Sequence, residues 1–395
     1  MSRRTILIAG ASIAGPTLAW WLVRAGFEVT IVENAAALRA GGNGVDIREQ
    51  ALEIIGRMGL AEAVRGKAIR MHGMRFVDGH DQETARLSMA AMEQAIGTED
   101  IEIPRGDLAR ILHDATANDV AYLFGDSITA MAQDPEGVDV TFRQAPARRF
   151  DMVIGADGLH SAVRAHAFGP EAGFVRFRQH YFAVAGCELE LGERGWATFY
   201  NEPGRSAALY RPETGRGLLN FIFRSDAALD YHHRDLPQQR HLLRDAFSGL
   251  GWHVPAMLDA ADVAPDFYFD SLSQVQMSDW SRGRVALVGD AAYCASPASG
   301  AGALLALSGA YRLAGELAAE TDPQRAFQRY QAAQQPLVAQ KQAQLFTGLS
   351  VPRTGLGIVF RNLLVRSSLL KLLAGFQNDR TEPLRVYDFS TGALP

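Results

Sequence analysis

Short apolar runs broken by glycine set the pattern of this chain. Thr5-Ile6-Leu7-Ile8-Ala9 has strand length and passes into Gly10-Ala11-Ser12-Ile13-Ala14-Gly15. Pro16 to Ala25 then predicts a helix closed by Gly26. A second run, Phe27 to Val32, predicts a strand that ends on Glu33. The same event recurs twice. Phe150 to Ile154 leads into Gly155-Ala156-Asp157-Gly158, followed by a helical turn with Ser161 and Arg164; Val285 to Val288 leads into Gly289-Asp290. Each time a buried strand delivers glycine and an acid at its C-terminal end, where α/β sheets bind ligands.

Elsewhere the period changes. Ala51, Leu52, Ile54, Ile55, Met58 and Leu60 have helical spacing. Met71 to Val77 and Ala85 to Met89 predict strands around the turn Asp78-Gly79-His80-Asp81. Ile103 to Leu112 predicts the start of an amphipathic helix with Arg105 near its beginning. A positive charge there opposes the helix dipole, so Arg105 is either solvated or set to meet an anion or carbonyl. Val120 to Phe124 and Val138 to Phe142 predict an antiparallel ribbon. From Phe174 to Phe269 the runs are alternating and aromatic-rich, which predicts a mostly antiparallel sheet. Leu304 to Glu320 predicts a long helix of Ala, Leu and Gly. Ile358 to Phe376 carries only three basic residues, which favours a helix packed across both domains over one lying on a membrane.

Composition narrows the function. The 395 residues suffice for two domains, or one with a large insertion. With 39 basic against 44 acidic side chains, net −5 and no long basic block, nucleic acid is excluded as a partner. Lys67, Lys341 and Lys371 are the only lysines, a bias that suits a GC-rich bacterial genome. Cys187 and Cys294 are far apart, and none of the ten histidines has metal-ligand spacing, so no metal site is expected. Arg3-Arg4 before an apolar run imitates a secretory signal, but Gly10 and Gly15 interrupt the run in fingerprint register. No apolar run approaches the roughly 20 residues of a membrane span. The expectation is a soluble cytoplasmic protein without membrane partners.

The first motif has a chemistry. Gly10 permits a tight turn, Gly15 lets helix and strand approach, and the helix N-terminus offers N–H groups to a pyrophosphate. Glu33, roughly 20 residues on, can take both hydroxyls of an adenosine ribose. Ser12 replaces the middle glycine and can give its hydroxyl to a phosphate oxygen. An ordinary α/β turn without ligand has the same pattern, and these residues alone leave FAD and NAD open. The loop Ala40-Gly41-Gly42-Asn43-Gly44, before Val45-Asp46-Ile47-Arg48, could run close to a flat ligand or be an ordinary loop. Asp290 can accept from a polyol chain. Beyond Pro297, bare N–H groups from Gly300 to Ala303 can face an electron-rich ring edge.

Gly10-x-Ser12-x-x-Gly15, Asp157-Gly158, and Gly289-Asp290 with its Pro297 and Gly300-x-Gly302 loop occur in one order and spacing. Together they resemble the class A flavin-dependent monooxygenases, the para-hydroxybenzoate hydroxylase-like family. The likeness covers about the first 345 residues, and the length resembles the compact members that include tetracycline-inactivating monooxygenases. The resemblance implies an α/β fold: a Rossmann-like FAD-binding domain, a mostly antiparallel substrate domain and C-terminal helices. It places 1–70, 98–173 and 270–340 in the FAD-binding domain, 71–97 and 174–269 in the substrate domain, and 341–395 in a helical segment.

It also implies roles. Gly10, Ala11, Ser12, Ile13, Ala14 and Gly15 would hold the FAD pyrophosphate, and Glu33 the ribose; Asn34 and Arg39 join that group. Arg105 would contact the flavin and its ribityl chain, and Asp157 the region shared with the nicotinamide cofactor. Gly289 and Asp290 would hold the ribityl hydroxyls, with Asp46 over the ring. Pro297 and the backbone of Gly300, Ala301, Gly302 and Ala303 would face flavin N1 and the C2 carbonyl. NADH or NADPH would reduce FAD and leave. O2 would then give a flavin hydroperoxide that transfers one oxygen atom to an aromatic or polyketide-like molecule, by hydroxylation, Baeyer-Villiger insertion or epoxidation. The expected assembly is a monomer or weak homodimer.

Three positions depart from the family pattern: Tyr293 for histidine, Leu304 for asparagine and Gly309 for an acid. They spare Asp290 and the glycines but argue against a mechanism that needs a side-chain base beside the flavin, so no catalytic residue is assigned. His180, Tyr210, Arg211 and Arg224 are candidates to meet substrate, with Phe221 and Phe223 lining its pocket. The rival readings are an FAD-dependent reductase on the same scaffold and a non-catalytic flavin- or ligand-binding protein. A halogenase is disfavoured because its Trp-x-Trp-x-Ile-Pro signature is missing.

Overall fold

The structure is a computed structural model that describes residues 3–38, 43–90, 101–344, 350–367 and 383–390. Two sheets organise it. The first has six strands in the order Ser281–Arg282, Val285–Leu287, Met152–Gly155, Thr5–Ala9, Glu28–Glu33 and Ala121–Phe124, all parallel except the first. Thr5–Ala9 is a central strand, fully buried along Ile6, Leu7 and Ile8. A run with no polar alternation is what a strand covered on both faces requires. Its two parallel neighbours bring Gly155 and Val32 level with Ala9, so the glycine-acid loops emerge along one edge.

Two glycines make that edge possible. Gly10 has φ +107°, and a Cβ there would fall on the Ala156 carbonyl oxygen. At Gly15 a Cβ would overlap the Gly10 carbonyl, so helix Ala14–Arg24 lies directly on the turn. The helix Gly302–Ala319 is buried almost all round and packs between Ala14–Arg24 and Pro323–Ala343.

The second sheet has seven strands: Tyr268–Val275, Val175–Cys187, Gly217–Arg224, Arg205–Arg211, Trp196–Glu202, Gly73–Val77 and Glu83–Ser88. All pairs are antiparallel except Trp196–Glu202 with Gly73–Val77. One face, with Tyr181, Leu219, Phe221, Phe223 and Phe269, packs on Leu243, Phe247, Met257 and Leu258 around helices Leu236–Ala246 and Val254–Val263. The opposite face carries Phe182, Val184, Ile222 and Leu272 against Ala298 of the Pro297 loop.

Some elements differ from the sequence expectation. Ala121–Phe124 does not pair with Val138–Phe142; it closes the parallel sheet beside Glu28–Glu33, while Val138–Phe142 pairs with Ile128–Gln133 and Arg148–Phe150. Alternation identifies a strand but not its partner. Ile101–Pro104 is a strand and the helix starts at Arg105, because Pro104 holds Ile103 before it in extended backbone and itself sits at the N-cap. Helix Gly355–Arg366 lies on the second sheet, where Arg361 Nη2 donates to Asn201 Oδ1 at 2.8 Å and stacks over Phe76 at 4.1 Å. Residues 368–376 of that expected helix lie outside the described residues. Leu384 and Tyr387 return to the core of the first sheet. No helix among the described residues is long and apolar enough to cross a membrane.

Candidate active site

The three loops meet. Arg105 Nη2 donates to Ser12 Oγ at 3.2 Å, which joins the start of one helix to the middle of the fingerprint. A Cβ on Gly289 would stand 3.2 Å from Ala14 Cβ, so the third loop abuts the first helix. Asp46 and Arg48 form an ion pair, and a Cβ on Gly300 would lie 3.3 Å from Arg48 Nη2 and 3.4 Å from Asp46 Oδ2.

The backbone here has donors to spare. The N–H groups of Ser12, Ile13, Ala14 and Gly15 have no partner among the described residues, and the helix they open has no capping side chain and no acid in its first turn. Such a terminus suits a pyrophosphate. Glu33 is already aimed: its Oε2 accepts Ala11 N–H at 2.9 Å and its Oε1 accepts Ala35 N–H at 2.8 Å. Each oxygen keeps a lone pair for a ribose hydroxyl. Asn34 is occupied differently, since its Oδ1 accepts from Arg143 Nη1 at 3.0 Å. Arg39 lies outside the described residues.

At the third loop the expectation of four bare N–H groups needs correction. Gly300 N–H donates to Pro297 O and Ala301 N–H to Ser299 Oγ, both at 3.2 Å. Those of Gly302 and Ala303 are without partner among the described residues, and a Cβ on Gly302 would meet nothing within 4 Å. Ser296, just before Pro297, holds φ +76° and a buried Oγ with no partner among the described residues. A non-glycine residue held there costs on the order of 1–3 kcal/mol, a strain that clusters at functional sites. Asp290 lies deep yet keeps part of its surface open, as a residue on a cavity floor does. Burial pushes its carboxyl up, with Arg105 opposing. Open N–H groups, a deep acid lacking hydroxyl donors and clear space before Gly302 fit the phosphates, polyol and ring of FAD.

Asp157 is committed locally: Ser161 Oγ donates to its Oδ1 at 2.5 Å and Val163 N–H to its Oδ2 at 3.1 Å. Beside it lies a network the sequence reading missed. His160 Nδ1 faces Glu171 Oε1 at 3.0 Å, and Nε2 faces buried Asp270 at 3.2 Å across to the second sheet. Tyr268 and Tyr231 also donate to Asp270, at 2.7 and 3.2 Å. Although burial works against the charge, the two carboxylates push the His160 pKa up to about 9. His233 stacks on that ring at 4.4 Å; burial first, and the neighbouring charge next, push its pKa down to about 4. No spacing rule could flag contacts separated by 110 residues.

Among the substrate candidates, Tyr210 faces the two-stranded ribbon that carries Asp46. It sits by Asp46 and Glu102, and burial first, then these carboxyls, push its phenol up. Glu102 pairs across the ribbon with Asp46, and burial pushes its carboxyl up to about 7. Phe221 and Phe223 are corrected: they point into the helix-covered core. Side chains alternate along a strand, so Asn220 and Ile222 occupy the loop-facing side. Arg211 Nη1 donates to Gly192 O at 2.9 Å, at the outer margin. His180 and Arg224 pair at the far end of the sheet.

A profile described as FAD binding domain matches residues 3–344. The uncharacterized protein Rv1260 of Mycobacterium tuberculosis (strain ATCC 25618 / H37Rv) is 42% identical over 334 residues, which cover 83% of this chain and 89% of the relative. A flavin-dependent monooxygenase of Legionella longbeachae serogroup 1 (strain NSW150) is 36% identical over 83% of this chain and 84% of its own. The crystal structure of tetracycline destructase Tet(51) is 33% identical, with TM-score 0.83, over 97% of this chain and all of that one (100%).

Proposed function

The chain belongs to the FAD binding domain family and is a flavin-dependent monooxygenase, and from that premise we propose that it uses NAD(P)H and O2 to oxygenate an aromatic or polyketide-like small molecule. The observation that carries the reading is the meeting of Ser12, Arg105, Asp290 and the open N-terminus at Gly302 along one sheet edge. We assign the cofactor to 1–70, 98–173 and 270–340, and the substrate to 71–97 and 174–269.

Bound FAD supplies the electron transfer and the activation of oxygen. The residues of this chain bind, orient and exclude water. Ser12 to Gly15 take the phosphates, and Glu33 fixes the ribose. Asp290 takes ribityl hydroxyls, and Arg105 neutralises part of the negative charge there. The N–H groups of Gly302 and Ala303, at a positive helix end, stabilise the charge that reduction places on the ring edge. Phe182, Val184, Ile222 and Tyr210 offer an apolar wall with one phenol, and Asn220 adds a polar amide. That wall suits a flat, partly polar substrate and keeps the site dry.

The test is NAD(P)H oxidation by the purified yellow protein against phenols, polyketides and tetracyclines, with 18O2 and product mass. The expected outcome is substrate-stimulated oxidation with one labelled oxygen in the product. A product with a reduced double bond and no label would make the protein a reductase, and FAD binding without turnover would make it a binder.

A further inference from the structure

A cleft of about 600 Å3 opens at the end of the second sheet, away from the glycine loops. The turn Pro203-Gly204, the end of strand Gly217–Arg224, Ala246 and Arg353 border it. Gly204 N–H donates to Pro352 O at 2.9 Å and Asn201 Nδ2 to Ser350 O at 3.0 Å, which fixes the segment carrying Arg353. Arg205, Arg224 and Arg353 all line this cleft, and Asp226 is its only lining carboxylate among the described residues.

The guanidiniums are incompletely used. Arg224 gives Nε and Nη2 to Asp226 Oδ1 at 3.1 and 2.5 Å, but its Nη1 is buried with no partner among the described residues. A buried charged donor left without an acceptor is costly. Arg205 Nη1 caps the helix end at Ala246 O, 3.2 Å away. Arg353 is exposed and makes no hydrogen bond or ion pair among the described residues. Buried His180 stands beside Arg224, with Nδ1 2.9 Å from Arg178 O, and adds no negative charge. A concave surface with this excess of positive charge concentrates anions.

We propose that this cleft binds an oxyanion, a carboxylate or phosphate group of a small molecule, between Arg224 and Arg353. It is distinct from the loop site. Tyr210 pairs with Leu218, six residues along the strand from Arg224, a separation of about 20 Å at the usual rise per residue. The diphosphate of a nicotinamide dinucleotide and a free phosphate or carboxylate share this chemistry. The inference rests on the cleft alone, so its failure leaves the cofactor assignment standing.

Thermal unfolding of the FAD-loaded full chain with inorganic pyrophosphate, against sodium chloride at matched ionic strength, tests it. The expected result is a rise in Tm in the parent, with affinity weakened about tenfold or more in Arg224→Gln and in Arg353→Gln. Arg353→Gln carries the test if Arg224→Gln fails to fold, because Arg353 is exposed and unpaired. A raised KM for NADPH at unchanged kcat in the same variants identifies the dinucleotide as the source; an unchanged KM identifies a free anion. No rise beyond chloride in the parent, or an equal rise in both variants, would overturn the proposal.

Discussion

The hydroxyl of Tyr293 occupies the space that a Cβ on Gly309 would take: the added carbon would collide with Tyr293 Oη and stand 3.1 Å from Cζ. Two of the three departures from the family pattern thus pack against each other, the larger residue on one helix against the smaller one on the next. Tyr293 and Tyr330 pair their hydroxyls at 2.9 Å in the buried core.

This coupling predicts that Gly309→Ala destabilises by about 1–3 kcal/mol through overpacking, although alanine is the better helix former by about 1 kcal/mol. In a Tyr293→Phe background, without the colliding oxygen, the cost shrinks. A double-mutant cycle by urea unfolding checks this, and equal costs in both backgrounds would disprove the coupling.

For the cofactor, Asp290→Ala is expected to weaken FAD more than Glu33→Ala does, because it leaves a polyol unpaired in a deep site. Glu33→Ala should cost on the order of 1.5–3 kcal/mol, and it also frees the Ala11 and Ala35 N–H groups. Flavin fluorescence titration of the apoprotein measures both. Parental affinity in Asp290→Ala would remove that residue from the site.

The alternation of strand Gly217–Arg224 predicts a division of effects. Phe221→Ala, wholly inside the helix-covered core, should cost about 3–5 kcal/mol of stability and leave the substrate KM unchanged. Ile222→Ala, on the opposite face, should alter substrate KM with a smaller loss of stability. Unfolding curves and steady-state kinetics separate the two, and a KM effect confined to Phe221→Ala would reverse the assignment.

His160 predicts a pH dependence. Its folded pKa, about 9, stands above the ordinary 6.5, so its stabilising contribution is complete below pH 6.5 and is lost as pH rises through 9. His233 has the opposite sign. With a folded pKa of about 4, its neutral form contributes above pH 6.5 and that contribution is lost as pH falls toward 4. The pair is jointly most stabilising near pH 6.5. In His160→Gln the loss of Tm between pH 6.5 and 9 should shrink relative to the parent; an identical alkaline limb in both proteins would show that the His160 ion pairs contribute nothing.

The sequence by itself determined the local devices. The apolar run of Thr5–Ala9, the glycines at 10 and 15, Glu33 at the end of the next strand and the acid-bearing loops at Asp157 and Asp290 are covalent neighbours, and their chemistry acts over a few residues. Their order carried the family resemblance, and the resemblance implied fold class and cofactor. What the tertiary structure decided lies between distant segments. Alternation gave strand Gly217–Arg224 two faces, but only the packing of helices Leu236–Ala246 and Val254–Val263 showed that Phe221 is core and Ile222 is not. His160 found Asp270, and Tyr293 found Gly309, through the packing of separate elements. Such pairs carry no period in the chain. Close packing fixes them, because each filled volume excludes every other occupant.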